Sequence, residues 1–286
     1  MSTVLVNKIN TLTGHRDCVY ALEEIPGSST FFSAAGDGMI VRWTHGEEEG
    51  DLVAQMKASV YALAYSPASD LLLAGHNYEG LHLLNWKSKK EEGSLKLTSA
   101  AIFDIKLLDN LALVASGDGI VSVVDLRNLT IVRRLESSGQ SARSIALHPQ
   151  GAEMAVGYSD NRIRIFSMGD FKLIKEYPAH ENSVFAVRYS PDGHWLLSGS
   201  RDARLKVWNV AEKYALHKEI AAHLYAINDI RFSPDRKHFV TCSMDKSVKV
   251  WCTEDLTLLK VIDRARHAGH GTSVNKLLWC SFTIRL

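Results

Sequence analysis

The chain has 286 residues, of which 46% are hydrophobic and 23% charged, enough length and apolar content for a globular protein with a large core. A formal net charge of +1 excludes a general electrostatic pull toward nucleic acid or an anionic membrane. No run reaches the roughly 18 apolar residues of a membrane helix, "MSTVLVNKIN" lacks the cationic start and long apolar stretch of a secretory leader, and Cys18, Cys242, Cys252 and Cys280 form no CxxC pair, so the expectation is a cytoplasmic protein with reduced thiols.

In chain order, the first unit opens at His15, after the polar stretch "VNKINTLTGH". Val19 begins a short alternating strand, Ser33 lies in a second apolar run, Asp37 sits in a tight "GDG" turn, and Trp43 closes a third run before the acidic turn "HGEEEGD". A second unit runs from Met56 through Val60, with Tyr78 in the place of the acid and Leu84 in that of the tryptophan. A third runs from Lys96 through Ala100, Asp118 and Val124, and a fourth from Ser138 through Ala142, Asp160 and Phe166. The fifth restores the full set with His180, Val184, Ser198, Asp202 and Trp208; the sixth does so with His223, Ile227, Thr241, Asp245 and Trp251. A seventh begins at His270 and Val274, and the sequence reaches Leu286 before its third strand.

The anchors recur at about 40–45 residues, the period of a four-stranded propeller blade. Turns such as "SPAS", "HPQG", "SPDG" and "SPDR" place proline where its fixed φ suits a type I turn. Four short strands per unit without a helical period predict an antiparallel all-β array.

A histidine, a serine and an aspartate in one unit invite a hydrolase reading, because a serine nucleophile needs a base and an orienting acid. Repetition decides against it. A catalytic set occurs once per active site, whereas these residues recur at the same offsets in three units.

The "GH" or "AH" dipeptides ending at His15, His180, His223 and His270, the acid in the turn and the terminal aromatic make the sequence similar to the WD40-repeat β-propeller family over essentially its whole length. The resemblance implies an all-β, seven-bladed WD40-type β-propeller, a single domain over 1–286. Its last blade, about 270–286, is expected to be incomplete and to be closed by the N-terminal strand, about 6–14; the short blade reads as a shortened terminus or as an open edge that accepts a partner strand. The family's structural tetrads then fall on His15, Ser33, Asp37 and Trp43, on His180, Ser198, Asp202 and Trp208, and on His223, Thr241, Asp245 and Trp251. In each, a hydrogen-bonded relay is implied from Asp through His to Ser or Thr and on to the indole.

For function the resemblance implies a non-catalytic scaffold or adaptor for protein–protein interactions. The alternatives are an enzyme at the channel mouth, or a ubiquitin-ligase substrate adaptor in a eukaryote, the latter from Asp125 and Arg127 in "SVVDLRN", where Val124 replaces the expected tryptophan. No phosphate loop, dinucleotide loop, zincin motif or nucleophile elbow is present, so no catalytic, cofactor-binding or metal residue is assigned. His267 and His270 lie close together in "RHAGHG", but the repeat register takes His270 as an anchor.

A candidate partner-binding face follows from the register. The residue after each strand-opening position and the residue before each turn acid should lie at one end of the blades, at positions resembling those that commonly contact partners in the family. These include Tyr20, Tyr61, Ala101, Arg143, Phe185, Asn228 and Asn275, with Arg201 and Met244 from the turns. Tyr and Arg are enriched among interface hot spots. A protein or peptide carrying an acidic group and an apolar anchor is the expected partner, with no nucleic acid, membrane or metal.

Overall fold

The computed structural model describes residues 4–263 and 274–278. Its elements are all strands, arranged in six four-stranded antiparallel sheets. Sheet 1 holds β1 (Val19–Glu24), β2 (Thr30–Ala35), β3 (Met39–Thr44) and β4 (Asp51–Gln55); sheet 2 holds β5 (Val60–Ser66), β6 (Leu71–His76), β7 (Gly80–Asn85) and β8 (Lys90–Leu95). Sheet 3 holds β9 (Ile102–Leu108), β10 (Leu111–Ser116), β11 (Val121–Asp125) and β12 (Thr130–Leu135); sheet 4 holds β13 (Ala142–Leu147), β14 (Glu153–Tyr158), β15 (Arg162–Ser167) and β16 (Leu173–Pro178). Sheet 5 holds β17 (Val184–Tyr189), β18 (Trp195–Ser200), β19 (Arg204–Asn209) and β20 (Ala215–Ala221); sheet 6 holds β21 (Ile227–Phe232), β22 (His238–Ser243), β23 (Val248–Cys252) and β24 (Leu258–Ile262).

These are propeller blades, and among the described residues there are six, which corrects the expectation of seven. Val274–Leu278, where the seventh blade was to begin, belongs to no strand, and no described residue offers it a second one. Residues 6–14, expected as a closing strand, also form no strand. The remainder of the expected last blade, with His267 and His270, lies outside the described residues.

By backbone contact the described chain forms two compact units, one of residues 12–145 and one of 146–263 with 4–11 and 274–278. Sheets 1 to 3 belong to the first and sheets 5 and 6 to the second; the division passes between Ile145 and Ala146 within β13.

The second strand of each blade is largely buried, and in most blades the fourth strand is polar; β24, "LLKVI", is the exception. The second strand is buried on both faces and reads as a continuous small and apolar run, as in "LLLAGH" and "LALVAS". The polar fourth strands are largely exposed, as in "KEEGSL" and "ALHKEIA". Within the first unit, Phe32, Ile40, Val60 and Leu72 join sheet 1 to sheet 2 in one core cluster, and Leu73, Leu81, Ile102 and Val114 join sheet 2 to sheet 3. In the second, Leu197, Leu205, Ile230 and Phe239 join sheet 5 to sheet 6. Each such side chain removed from water contributes about 1.5–3 kcal/mol, so packing alone can sustain blades that lack a tetrad.

Gly38 shows what the turns between second and third strands demand. Its φ is 76°, and a Cβ there would stand 2.3 Å from the Met56 carbonyl oxygen. Backbone approaches backbone at that point, and only glycine fits both the angle and the space.

Candidate functional site

The three complete tetrads are formed. In sheet 5, His180 Nδ1 lies 2.9 Å from Asp202 Oδ2, His180 Nε2 lies 2.8 Å from Ser198 Oγ, and the Trp208 indole N–H donates to the same Oγ at 2.8 Å. Sheet 6 repeats this with His223, Asp245, Thr241 and Trp251 at 2.9, 2.8 and 3.0 Å. In sheet 1 the corresponding contacts of His15, Asp37, Ser33 and Trp43 are 3.2, 2.7 and 2.8 Å.

Proton inventory fixes the direction of each relay. The carboxylate can only accept, so the neutral imidazole carries its proton on Nδ1, donates it there and takes the hydroxyl proton at Nε2. The hydroxyl oxygen accepts from the indole, which can only donate. The carboxylate also fastens two turns: Asp202 accepts from the N–H groups of Glu181 and Arg204, and Asp245 from those of Leu224 and Ser247. Burial opposes ionisation of Asp202, but the His180 hydrogen bond and charge, with the N–H groups, outweigh it and hold its carboxyl at about 2. At Asp245, burial is likewise outweighed by Ser247 and the Leu224 N–H, again giving about 2.

This arrangement matches a hydrolytic triad in its bonds and fails as one in its access. Ser198 and Thr241 are 0% exposed, and the face of each hydroxyl that would meet a substrate is covered by the indole. A nucleophile needs room for an acyl group beside it. These residues tie a blade's entry to its turn and its third strand.

The blades without a tetrad use substitutes that the sequence reading missed. In sheet 3 the Asp118 carboxylate accepts from Thr98 Oγ1 and Ser116 Oγ, both at 2.6 Å, so Thr98 is the anchor rather than Lys96. The innermost strand accordingly opens at Ile102, two residues later than the expected Ala100. In sheet 4 an arginine replaces the histidine: buried Arg164 pairs with Asp160 at 2.7 Å and Glu176 at 2.6 Å, and its guanidinium lies 4.5 Å over the Tyr158 ring.

Sheet 2 contains a different polar cluster. His76, Glu79 and His82 bring one ligand atom each within 4.8 Å of one another. His76 Nε2 accepts the N–H of Ala58 at 3.0 Å, which places the proton of the neutral ring on Nδ1. That nitrogen lies 3.4 Å from Glu79 without a hydrogen bond to it, and, carrying the proton, it offers no lone pair to a metal ion. The cluster reads as a blade-entry clasp.

The residues expected at a partner face share a structural feature that spacing alone did not reveal. In sheets 1, 2, 3, 5 and 6 the ladder between first and second strands skips the second residue of the innermost strand: Tyr20, Tyr61, Phe103, Phe185 and Asn228. A bulge of this kind frees a side chain from the pleat and re-aims it. Phe103 thus takes the place expected for Ala101, and "IFDI" beside "VYAL" and "VFAV" is the signal that would have found it.

In the first unit these residues touch. Tyr20 and Tyr61 meet edge to face at 4.6 Å, Tyr61 and Phe103 lie 5.7 Å apart, and the Arg143 guanidinium sits 4.1 Å over the Phe103 ring. In the second unit Phe185 is half-buried, while Arg201 and Met244 are exposed. Asn228 Nδ2 donates to the Val274 carbonyl at 2.9 Å and lies 3.4 Å from Asn275 Oδ1, so both asparagines are engaged within that unit. Of the nine candidates, Tyr20, Tyr61, Ala101 and Arg143 fall in the first unit and Phe185, Arg201, Asn228, Met244 and Asn275 in the second. Residues 6–44, 171–209 and 215–252 match the family described as WD domain, G-beta repeat.

The chain carries WD40 repeats.

The matched segments take in the first three strands of sheets 1, 5 and 6, the sheets that hold a complete tetrad, and those at 171–209 and 215–252 begin on β16 and β20, the fourth strands of the preceding sheets. This WD40-repeat chain is 26% identical over 207 residues to WD repeat-containing protein 91 homolog of Dictyostelium discoideum, an alignment covering 69% of this chain and 27% of that protein. It is 25% identical over 246 residues to WD repeat-containing protein SL1-17 of Schistosoma mansoni, covering 69% and 81%. It is 24% identical over 222 residues to Protein groucho of Drosophila melanogaster, covering 73% and 30%. The chain thus spans less than a third of the Dictyostelium and Drosophila relatives it matches.

Among the smaller expectations, Arg127 folds back onto Asp125, its Nε at 3.0 Å from Oδ1 and Nη2 at 2.6 Å from Oδ2. The pair closes its own turn.

Proposed function

We propose that this WD40-repeat chain is a non-catalytic scaffold that holds protein partners through the bulge side chains of its innermost strands and the adjoining tight turns. The observation that carries this reading is the bulge itself. A ladder loses pairing at that residue, and in four of the five mapped sheets the freed side chain is aromatic. Tyrosine, phenylalanine and arginine supply contact area at low rotamer cost and dominate interface energetics.

The tetrads support the same reading by exclusion, since their hydroxyls are sealed. The partner we favour carries an acidic group, to meet Arg143 or Arg201, beside an apolar anchor. We place this activity in the cytoplasm, the compartment expected of a chain whose four cysteines form no CxxC pair.

The test compares affinity capture by the wild-type chain with capture by a Tyr20→Ala, Arg143→Ala, Phe185→Ala variant whose melting temperature lies within a few degrees of wild type. A partner retained at least tenfold better by wild type is the expected result. Equal retention of every partner by both proteins contradicts the reading.

A further inference from the structure

The repeats act as internal controls for one another, and sheet 6 departs from them on one surface. The two residues after each tetrad histidine sit at a blade's entry, held by the turn acid. They are Arg16 and Asp17 in sheet 1, Glu181 and Asn182 in sheet 5, and Leu224 and Tyr225 in sheet 6. All six are exposed, so the fold accepts polar side chains at these positions. Sheet 6 nevertheless places a leucine, 84% exposed, and a tyrosine, 63% exposed, there.

A third apolar side chain belongs to the same surface. Met244, 51% exposed, precedes the turn acid Asp245, where sheet 1 has Gly36 and sheet 5 has Arg201. Three hydrogen bonds fasten the two segments together: Leu224 N–H donates to Asp245 Oδ2 at 3.1 Å, Met244 N–H to the Ala226 carbonyl at 3.0 Å, and Ser243 Oγ to the Tyr225 carbonyl at 3.0 Å. The three apolar side chains are therefore carried on a braced support. Exposed apolar groups gathered on a rigid support mark a binding surface.

Charge then selects the partner. Lys246 lies in the same turn as Met244. Arg201 lies in the sheet 5 turn whose Ala203 carbonyl accepts the His223 N–H. Both are exposed, and neither forms an ion pair among the described residues. Glu181 supplies an opposite charge at the sheet 5 entry, the position that Leu224 holds in sheet 6.

We propose that the turns of sheet 6 form a docking site, built on Leu224, Tyr225 and Met244 and flanked by Arg201 and Lys246, for an acidic peptide segment with apolar anchors. The proposal rests on the scaffold reading and narrows it to one surface and one partner chemistry. The carboxylates meet the two cations while leucine- or phenylalanine-like anchors cover the three apolar side chains, and the surrounding contact excludes water from both.

The probe is a phage-displayed library of random dodecapeptides, panned in parallel on the wild-type chain, on a Leu224→Ser, Tyr225→Ser, Met244→Ser variant and on an Arg201→Glu, Lys246→Glu variant. Circular dichroism melts of the three proteins should agree within a few degrees, because every changed side chain is exposed. The expected result is that wild type enriches peptides pairing Asp or Glu with Leu, Ile or Phe. Their affinity should fall at least tenfold on the serine variant, and the charge-reversed variant should enrich Lys and Arg instead. Wild-type peptides that bind the serine variant equally but lose affinity on Tyr20→Ala, Tyr61→Ala overturn the docking site and leave the scaffold reading standing. Recovery of no enriched peptide by any of the proteins overturns the docking site and counts against the scaffold reading as well.

Discussion

Ser198 is a small residue with a large structural consequence. Its oxygen is the acceptor for Trp208 and its proton serves His180, so Ser198→Ala leaves an indole N–H and an imidazole nitrogen buried and unpaired. Leaving such groups unsatisfied costs about 1–3 kcal/mol. A calorimetric melt should show the variant lower by several degrees, whereas exposed Ser99→Ala should stay within about 0.5 kcal/mol of wild type. The titrating residues give a pH dependence with a definite sign. Burial depresses the pKa of His76 and His223 below the usual 6.5. The unfolded chain therefore binds more protons near that pH, and stability falls as the pH drops through 6.5. Asp202 and Asp245, held at about 2, add a second loss as the pH falls below 3.8 toward that value. Urea denaturation at pH 7.5 and pH 5 should show the first loss, and it should shrink in His76→Gln, whose amide oxygen can still accept the Ala58 N–H.

At the scale of elements, each blade solves the same problem of fastening its entry to its second turn, with different residues. Sheet 4 does it with Arg164. Replacing that arginine by leucine removes the cation that joins Asp160 to Glu176, though Glu176 keeps Arg162 at 3.0 Å. Both keep some contact with water, so the cost should be about 2 kcal/mol, short of the 3–5 typical of a fully buried pair; chemical denaturation measures it directly. The second-strand burial, the turns and the three tetrads were legible in the sequence because apolar alternation and hydrogen-bonding residue types leave periodic marks. Thr98 was not. A threonine anchors with one hydroxyl where histidine uses a ring, and the two-residue shift of sheet 3 hides it behind a lysine that looked equally periodic. Arg164 escaped for another reason: the cation that replaces the histidine comes from the third strand, a place the repeat register did not examine. The bulges were invisible because skipping one residue changes the pairing without changing the spacing along the chain. That is why Ala101 stood in for Phe103.

At the scale of the whole chain, the number of blades was the largest misjudgement. Periodicity counted seven unit beginnings, but a beginning becomes a blade only when second and third strands complete its ladder. The segment 274–278 meets sheet 6 much as a first strand would, with the Leu277 N–H on Asp229 Oδ2 at 3.2 Å, and yet forms no strand. Asp229 draws heavily on that neighbourhood. Burial opposes its ionisation, yet the charges of Arg231, Lys276 and Arg188 hold its carboxyl well below the usual range. Lys276→Ala should therefore destabilise the chain at pH 7 and flatten its acid sensitivity, as followed by denaturant titration across pH 3 to 7.

The central claim is that one set of residues, the tetrads, serves stability and another, the bulge side chains, serves binding. Isothermal titration of a captured partner into Ser198→Ala and into Tyr20→Ala, Phe185→Ala, performed well below both melting temperatures, separates the two most directly. The serine variant should keep the wild-type Kd despite its lower melting temperature, and the bulge variant should bind at least tenfold more weakly despite a melting temperature near wild type. The reverse pattern, with binding lost on removal of the sealed Ser198 hydroxyl and kept without the bulge side chains, would contradict it.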